Sequence, residues 1–243
     1  MRARLRLITA LAATGVAVGA LSACGSLLNK DFEDDTTISQ KITSVRIDNE
    51  SGAVTLIGDE GGTNVGLHRR VEYGGDRPQG ATHRIENGVL VLRGCGDDCA
   101  VAYTVHLPAG LPVTGKNSSG ALTLKKTGAV SVSTDSGAID VVDVRGPVDV
   151  RADSGAITGR GLHGGPVKAR TGSGAIDLTL SAPQDVQATA GSGAVDVTVP
   201  AATYRVSAKT GSGGKDIEVE NDSSGKYRID ASTGSGALTI KRG

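Results

Sequence analysis

The sequence predicts an all-β protein: a single-stranded parallel β-solenoid (β-helix) with rungs of about 17–20 residues and an irregular β cap at its N-terminal end. Three observations predict it. A Ser-Gly-Ala tripeptide starts at Ser119-Gly120, Ser136-Gly137, Ser154-Gly155, Ser173-Gly174, Ser192-Gly193 and Ser235-Gly236, with Ser212-Gly213-Gly214 as a near-copy. Successive serines lie 17, 18, 19, 19, 20 and 23 residues apart, the steady period of stacked units. Apolar and polar residues alternate on both sides of each tripeptide, as in half-buried strands.

Aligned on the serine, the sixth residue before it is β-branched throughout: Val45, Val113, Val130, Val148, Val167, Val186, Val206 and Ile229. Three residues after it stand Leu122, Ile139, Ile157, Ile176, Val195 and Leu238. The fourth place after is polar, with Thr123, Asp140, Thr158, Asp177, Asp196, Asp216 and Thr239. Each repeat is therefore a strand, a tight corner and a second strand. One unit cannot bury its apolar face, but units stacked about 4.8 Å apart can. Glycine supplies the sharp turn, the serine hydroxyl is expected to bond backbone in the bend, and alanine lets the two sheets converge.

Gly172-Ser173-Gly174 is not a nucleophile elbow, because strands flank it, no histidine accompanies it and it recurs. A dinucleotide fingerprint fails too: after Gly191-Ser192-Gly193, Asp196 stands where the last glycine belongs.

From the start, Arg2, Arg4 and Arg6 precede an apolar run from Leu7 to Ala20, too short to span a bilayer. Residues 1–23 read as a lipoprotein signal peptide. Leu21-Ser22-Ala23-Cys24 looks like a bacterial lipobox, so Cys24 is expected to carry acyl chains such as palmitate and anchor the mature protein outside the cell membrane. Without residues 1–23 the charge is 23 positive against 26 negative, and only Phe32 and four tyrosines are aromatic. Nothing there suits nucleic acid.

Residues 24–40, with the acidic run Asp31 to Asp35, read as a tether. Residues 41–112 read as the N-terminal β cap and first rung, built around Ser51-Gly52-Ala53 and followed by a 68-residue lapse in the repeat. Strands are expected at Val65–Tyr73, Thr82–Glu86, Val89–Leu92 and Val101–Leu107, with Asn87-Gly88 turning a hairpin. Cys95 and Cys99 read as a disulfide in an oxidising compartment; a metal site would draw on His83 and His106. Residues 113–243 are the regular stack. Its insertions near Pro183, Pro200 and Asn221 mark a loop face available for binding, and the last strand, Leu238 to Lys241, has no cap after it.

The Ser-Gly-Ala and Ser-Gly-Ala-Ile-Asp repeat, at a period near 18 behind a short β region, resembles the bacterial "putative adhesin" family of β-strand-repeat proteins, adhesin-like domains of unknown function. The resemblance covers about residues 41–243. It implies surface adhesion and supplies no catalytic or ligand residues. The expected function is a non-catalytic, adhesin-like binding module with a macromolecular or envelope-protein partner and no cofactor. The alternative is a spacer or partner of an envelope-sensing system. A calcium-bound solenoid lacks its nonapeptide motif here, and a polysaccharide-acting enzyme lacks a carboxylate constellation.

Overall fold

The computed structural model describes residues 30–243. The expected signal peptide, the expected lipidation site Cys24 and the first part of the expected tether lie outside the described residues. Twenty-one strands form an 11-stranded and a 10-stranded sheet, the two walls of a β-solenoid.

The chain opens with β1 (Lys30–Ile38), β2 (Ser44–Ser51), β3 (Val54–Asp59), β4 (Val65–Tyr73), β5 (His83–Glu86), β6 (Val89–Arg93) and β7 (Cys99–Pro108). Four regular rungs follow: β8 (Val113–Ser119) with β9 (Leu122–Lys125), β10 (Val130–Ser136) with β11 (Ile139–Val142), β12 (Val148–Ser154) with β13 (Ile157–Leu162), and β14 (Val167–Ser173) with β15 (Ile176–Leu180). Three more complete the chain: β16 (Val186–Ser192) with β17 (Val195–Val199), β18 (Tyr204–Ser212) with β19 (Lys215–Ile217), and β20 (Tyr227–Ser235) with β21 (Leu238–Arg242).

Neighbouring rungs pair in parallel with their repeat positions in register: Val130 faces Val148, Val148 faces Val167, and Ser136, Ser154, Ser173 and Ser192 follow one another. The valine column of one wall and the Leu122, Ile139, Ile157, Ile176 column of the other are buried together in a continuous core. Each such side chain contributes roughly 1.5–3 kcal/mol on burial.

At the corner, glycine is obligatory. Gly120, Gly137, Gly155, Gly174, Gly193, Gly213 and Gly236 have φ between +109° and +148°. A Cβ on Gly155 would lie 2.0 Å from the carbonyl oxygen of Gly137 in the neighbouring rung. The alanine beside it does not draw the sheets together: Ala121, Ala138, Ala156 and Ala175 point into solvent. Among the described residues no corner serine hydroxyl makes a hydrogen bond. The corner's polar ladder lies inside the fold, two residues before the serine in every rung except those where Ala152 and Ala190 take that place. There Asn117 Nδ2 donates to the carbonyls of Gly52, Ser119 and Gly120 at 2.9–3.1 Å. Asn49 serves Ser51, Gly52 and Val101 in the same way. Thr171, Thr210 and Thr233 donate to Gly155, Gly236 and Gly193.

Three further expectations from the sequence are corrected. The tether reading of residues 24–40 fails from Lys30 onward, because β1 pairs antiparallel with β4 over nine residues. Its periodicity is hidden because an acid, Asp34, occupies an inward position between Phe32 and Thr36 and is matched by Arg69. The lapse in the repeat after Ser51 is partly filled, with the antiparallel strands β4 and β5 still outside the rung pattern. β6 and β7 form a rung whose corner is Cys95 to Cys99, and it stacks outside β2 and β3. Finally, β21 is not the open end. The β20–β21 rung lies between β16–β17 and β18–β19, so the chain's last strand has a neighbour on each side.

Candidate interaction surfaces

Polar chemistry concentrates first under the N-terminal cap. Arg69, 9% exposed on β4, holds Asp34 on β1 with Nε at 2.8 and 2.9 Å from the two carboxylate oxygens. Its Nη1 donates to Thr82 Oγ1 at 3.0 Å and to the Gly80 carbonyl. Tyr103 on β7 places its hydroxyl 2.7 Å from Arg93 O and 2.8 Å from Thr82 O. Burial pushes the Tyr103 phenol up to about 12. Burial, then the Arg69 charge, pushes the His83 imidazole below its usual value. The guanidinium beside Asp34 holds that carboxyl below the ordinary carboxylate range. This group ties the loop before β5 to β1, β4, β6 and β7. A phenol held this high is no acid or nucleophile at neutral pH.

Beside it, Asp48, Glu50, Gln79, Thr82, Arg93 and Cys95 line a cavity of about 330 Å³. Cys95 and Cys99 are disulfide-bonded with Cα atoms 5.7 Å apart. The bridge closes the corner that joins β6 to β7, where every regular rung uses Ser-Gly. Loop-closure entropy for so short a loop is about 2 kcal/mol. Cys95→Ser with Cys99→Ser is therefore expected to lower unfolding free energy by about that amount in urea titrations. Unchanged stability would show that the β6–β7 corner holds without the bond.

The histidines do not converge. His68 pairs with Asp35, His106 with Asp59, and His163 Nδ1 lies 3.0 Å from the Gly161 carbonyl. Among the described residues no group of three His, Cys, Asp or Glu side chains could hold a metal ion. On the outer face of the longer sheet Asp177 and Asp196 are neighbours, while Thr239 of the inserted last rung separates Asp196 from Asp216.

The loop face divides by role. Pro183, Gln184 and Asp185 meet Gly164, Gly165 and Tyr227 around a concavity of about 370 Å³. Pro200 instead accepts the Tyr204 hydroxyl at 3.0 Å. Asn221 caps β18, its Oδ1 accepting the Val206 N–H at 2.8 Å. A third depression of about 230 Å³ runs over Pro112, Ala129, Pro147 and Pro166, each one residue before a valine of the core column.

Sequence reasoning missed three parts of this picture. The Asn49, Asn117, Thr134, Thr171, Thr210, Thr233 column was legible, since its position never holds a large apolar residue. The Arg69–Asp34 pair carries no repeat signature. The β6–β7 rung has the alternation of a rung but not its tripeptide.

Residues 101–242 match the family model described as Toastrack DUF4097, more than half of the chain. The chain belongs to the Toastrack DUF4097 family. The all-β repeat architecture of the fold is that of a Toastrack domain. Among solved structures, this Toastrack chain is similar to a "putative adhesin" from Bacteroides fragilis, at 12% identity and a TM-score of 0.46, over 88% of this chain and 97% of that one. It is also similar to a "putative cell adhesion protein" from Clostridium sporogenes, at 13% identity and a TM-score of 0.40, over 88% of this chain and 100% of the other. No curated protein matches it in sequence.

Proposed function

We propose that this Toastrack protein is a non-catalytic binding module, lipid-anchored through Cys24 on the extracytoplasmic face of the cell membrane. One observation carries the binding part of the reading: polar side chains repeat rung by rung over both walls. On the 10-stranded sheet Thr114, Ser131, Asp149, Lys168 and Gln187 form one outward column. Ten strands at about 4.8 Å make a wall about 43 Å long, suited to a macromolecule more than to a small substrate.

The anchor rests on Leu21 to Cys24. Since β1 begins at Lys30, only five residues separate Cys24 from the fold, a reach of about 17 Å. The rod would therefore stand close to the membrane on its β1 end, with β18 and β19 at the far end.

The alternative, a spacer within an envelope-sensing assembly, is favoured by one feature. The faces neutralise much of their own charge, through Lys116–Asp135, Arg151–Asp153, Arg160–Asp140 and Arg170–Asp149. Exposed pairs of this kind add little stability.

The test is fractionation of cells expressing the full chain and Cys24→Ala, with a photo-cross-linker placed at Thr189 on the outer wall. The wild type is expected wholly in the membrane fraction, and Cys24→Ala is expected to lose acylation and leave it. A wild-type protein found soluble defeats the anchor. Absence of any specific adduct from Thr189 favours the spacer over the binding module.

A further inference from the structure

The far end of the solenoid is only half closed. Val219 is buried there, and the loop from Glu218 to Lys226 crosses the end of the core. That cover stops at Asn221, which forms a single bridge with Tyr204, while Asp222 N–H donates to the Tyr204 carbonyl at 2.9 Å. Beyond it the inward side chains of the last rung are uncovered. Val206 and Ala208 are half-buried where their counterparts Ile229 and Ala231 are fully buried, and Ile217 is 36% exposed.

The backbone is uncovered too. Val206 N–H and the Tyr204 carbonyl are the groups that meet the cap, so these residues direct their peptide groups away from β20. In a parallel ladder alternate residues serve opposite sides, so Arg205, Ser207 and Lys209 face β20 and Ala208 faces outward. Beyond the Tyr204 bridge, no described strand pairs with that edge.

Charge selects the occupant. Residues 204–212 contain Arg205 and Lys209 and no acid. Arg205 lies beside Arg228, which is engaged 2.7 Å from Asp230, and Lys209 lies beside Ser232. Among the described residues neither Arg205 nor Lys209 has an ion-pair partner. Laying β18 of a second copy against β18 brings cations to cations, an arrangement that costs stability in a sheet.

We propose that β18 is the acceptor edge for an extended acidic segment of a partner protein, which adds as the next strand. Its backbone would bond the outward N–H and C=O of Ala208. Small apolar side chains would cover Val206, Ala208 and Ile217, and alternating carboxylates would face Arg205 and Lys209. The inference rests on the binding-module reading and names its partner class; it does not depend on the Cys24 anchor.

The probe is a capped, fluorescein-labelled peptide of alternating Val and Glu, titrated against the full-length protein in detergent and followed by anisotropy. A peptide of alternating Val and Lys is the comparison. The acidic peptide is expected to bind at least about tenfold more tightly. Ala208→Pro removes the outward N–H without touching the β18–β20 ladder and is expected to weaken binding about tenfold. Arg205→Glu with Lys209→Glu alters only outward side chains, so it keeps the test meaningful if the proline variant misfolds; it is expected to reverse the preference. Equal binding of both peptides, no binding of either, or full affinity in correctly folded Ala208→Pro overturns the proposal. A dimer in sedimentation that Ala208→Pro dissolves assigns the edge to a second copy and overturns it as well.

Discussion

Gly155→Ala is expected to cost about 3 kcal/mol or more of unfolding free energy, although it adds one methyl group. Gly155 has φ +146°, a region that side-chain-bearing residues occupy only under strain of order 1–3 kcal/mol. The new Cβ would also lie 2.0 Å from Gly137 O and 2.6 Å from Gly137 C. Both are backbone atoms, so no rotamer change relieves them, and overpacking adds roughly 1–3 kcal/mol. The corner cannot drift away, because Gly155 N–H donates to Ser173 O at 2.8 Å and Gly137 N–H to Ser154 O at 3.0 Å. Gly61→Ala is the control: its φ is +78°, and nothing lies within 4 Å of an added Cβ. It should cost about 1 kcal/mol. Urea unfolding of the two variants decides it, since equal losses would mean that the corner relaxes. In a stack where each rung contacts only its neighbours, a broken middle rung should also broaden the transition.

The local parts of this fold were legible because their cause is local. Alternation of period two and a glycine at a fixed place determine that Val148 and Ile157 face inward, with a corner between them. The order of rungs in the stack has no such local signature. β20–β21 presents the same columns as β18–β19, so nothing in Ile229, Ala231 or Leu238 says that it belongs beside β16–β17. Chain order is then the natural expectation, and it is wrong at both ends. The one trace is length: the longest serine spacing within the regular stack, 23 residues, spans Ser212 to Ser235, where the chain crosses the end of the stack before returning. At the other end, a search for Ser-Gly passes over Cys95-Gly96-Asp97-Asp98-Cys99, a corner made by a covalent bond.

β6–β7 lies outside β2–β3, and β18–β19 lies outside β20–β21. A terminal strand left at a sheet edge has half its ladder exposed and frays readily. Inserting the last rung between two others gives Leu238 and Ile240 a partner on each side. At the other end β6–β7 is itself covered, by β5 on one wall and by β4 and β1 on the other.

At the opposite end, Asp34→Asn is expected to lower stability at pH 7 by about 2 kcal/mol. That is less than the 3–5 kcal/mol of a wholly buried pair, because the Asp34 side chain keeps 36% of its surface in water. The loss arises on the other side of the pair. Arg69, its side chain 11% exposed, would retain its charge against Phe32 and Tyr103 with no counterion. The pH dependence separates this from a simple packing defect. The Arg69 hydrogen bond depresses the Asp34 carboxyl below 3.8, so the folded state binds that proton less readily than the unfolded chain. The contribution is therefore complete above about pH 4 and is lost as pH falls through the lower, folded value. The wild-type and Asp34→Asn curves should run a constant distance apart from neutral pH down to about pH 5 and converge in stronger acid. Curves that stay parallel to the acid limit would place the effect in packing and not in the ion pair. Glu72→Gln, which touches only the exposed Arg70 pair, should leave stability within about 0.5 kcal/mol at every pH.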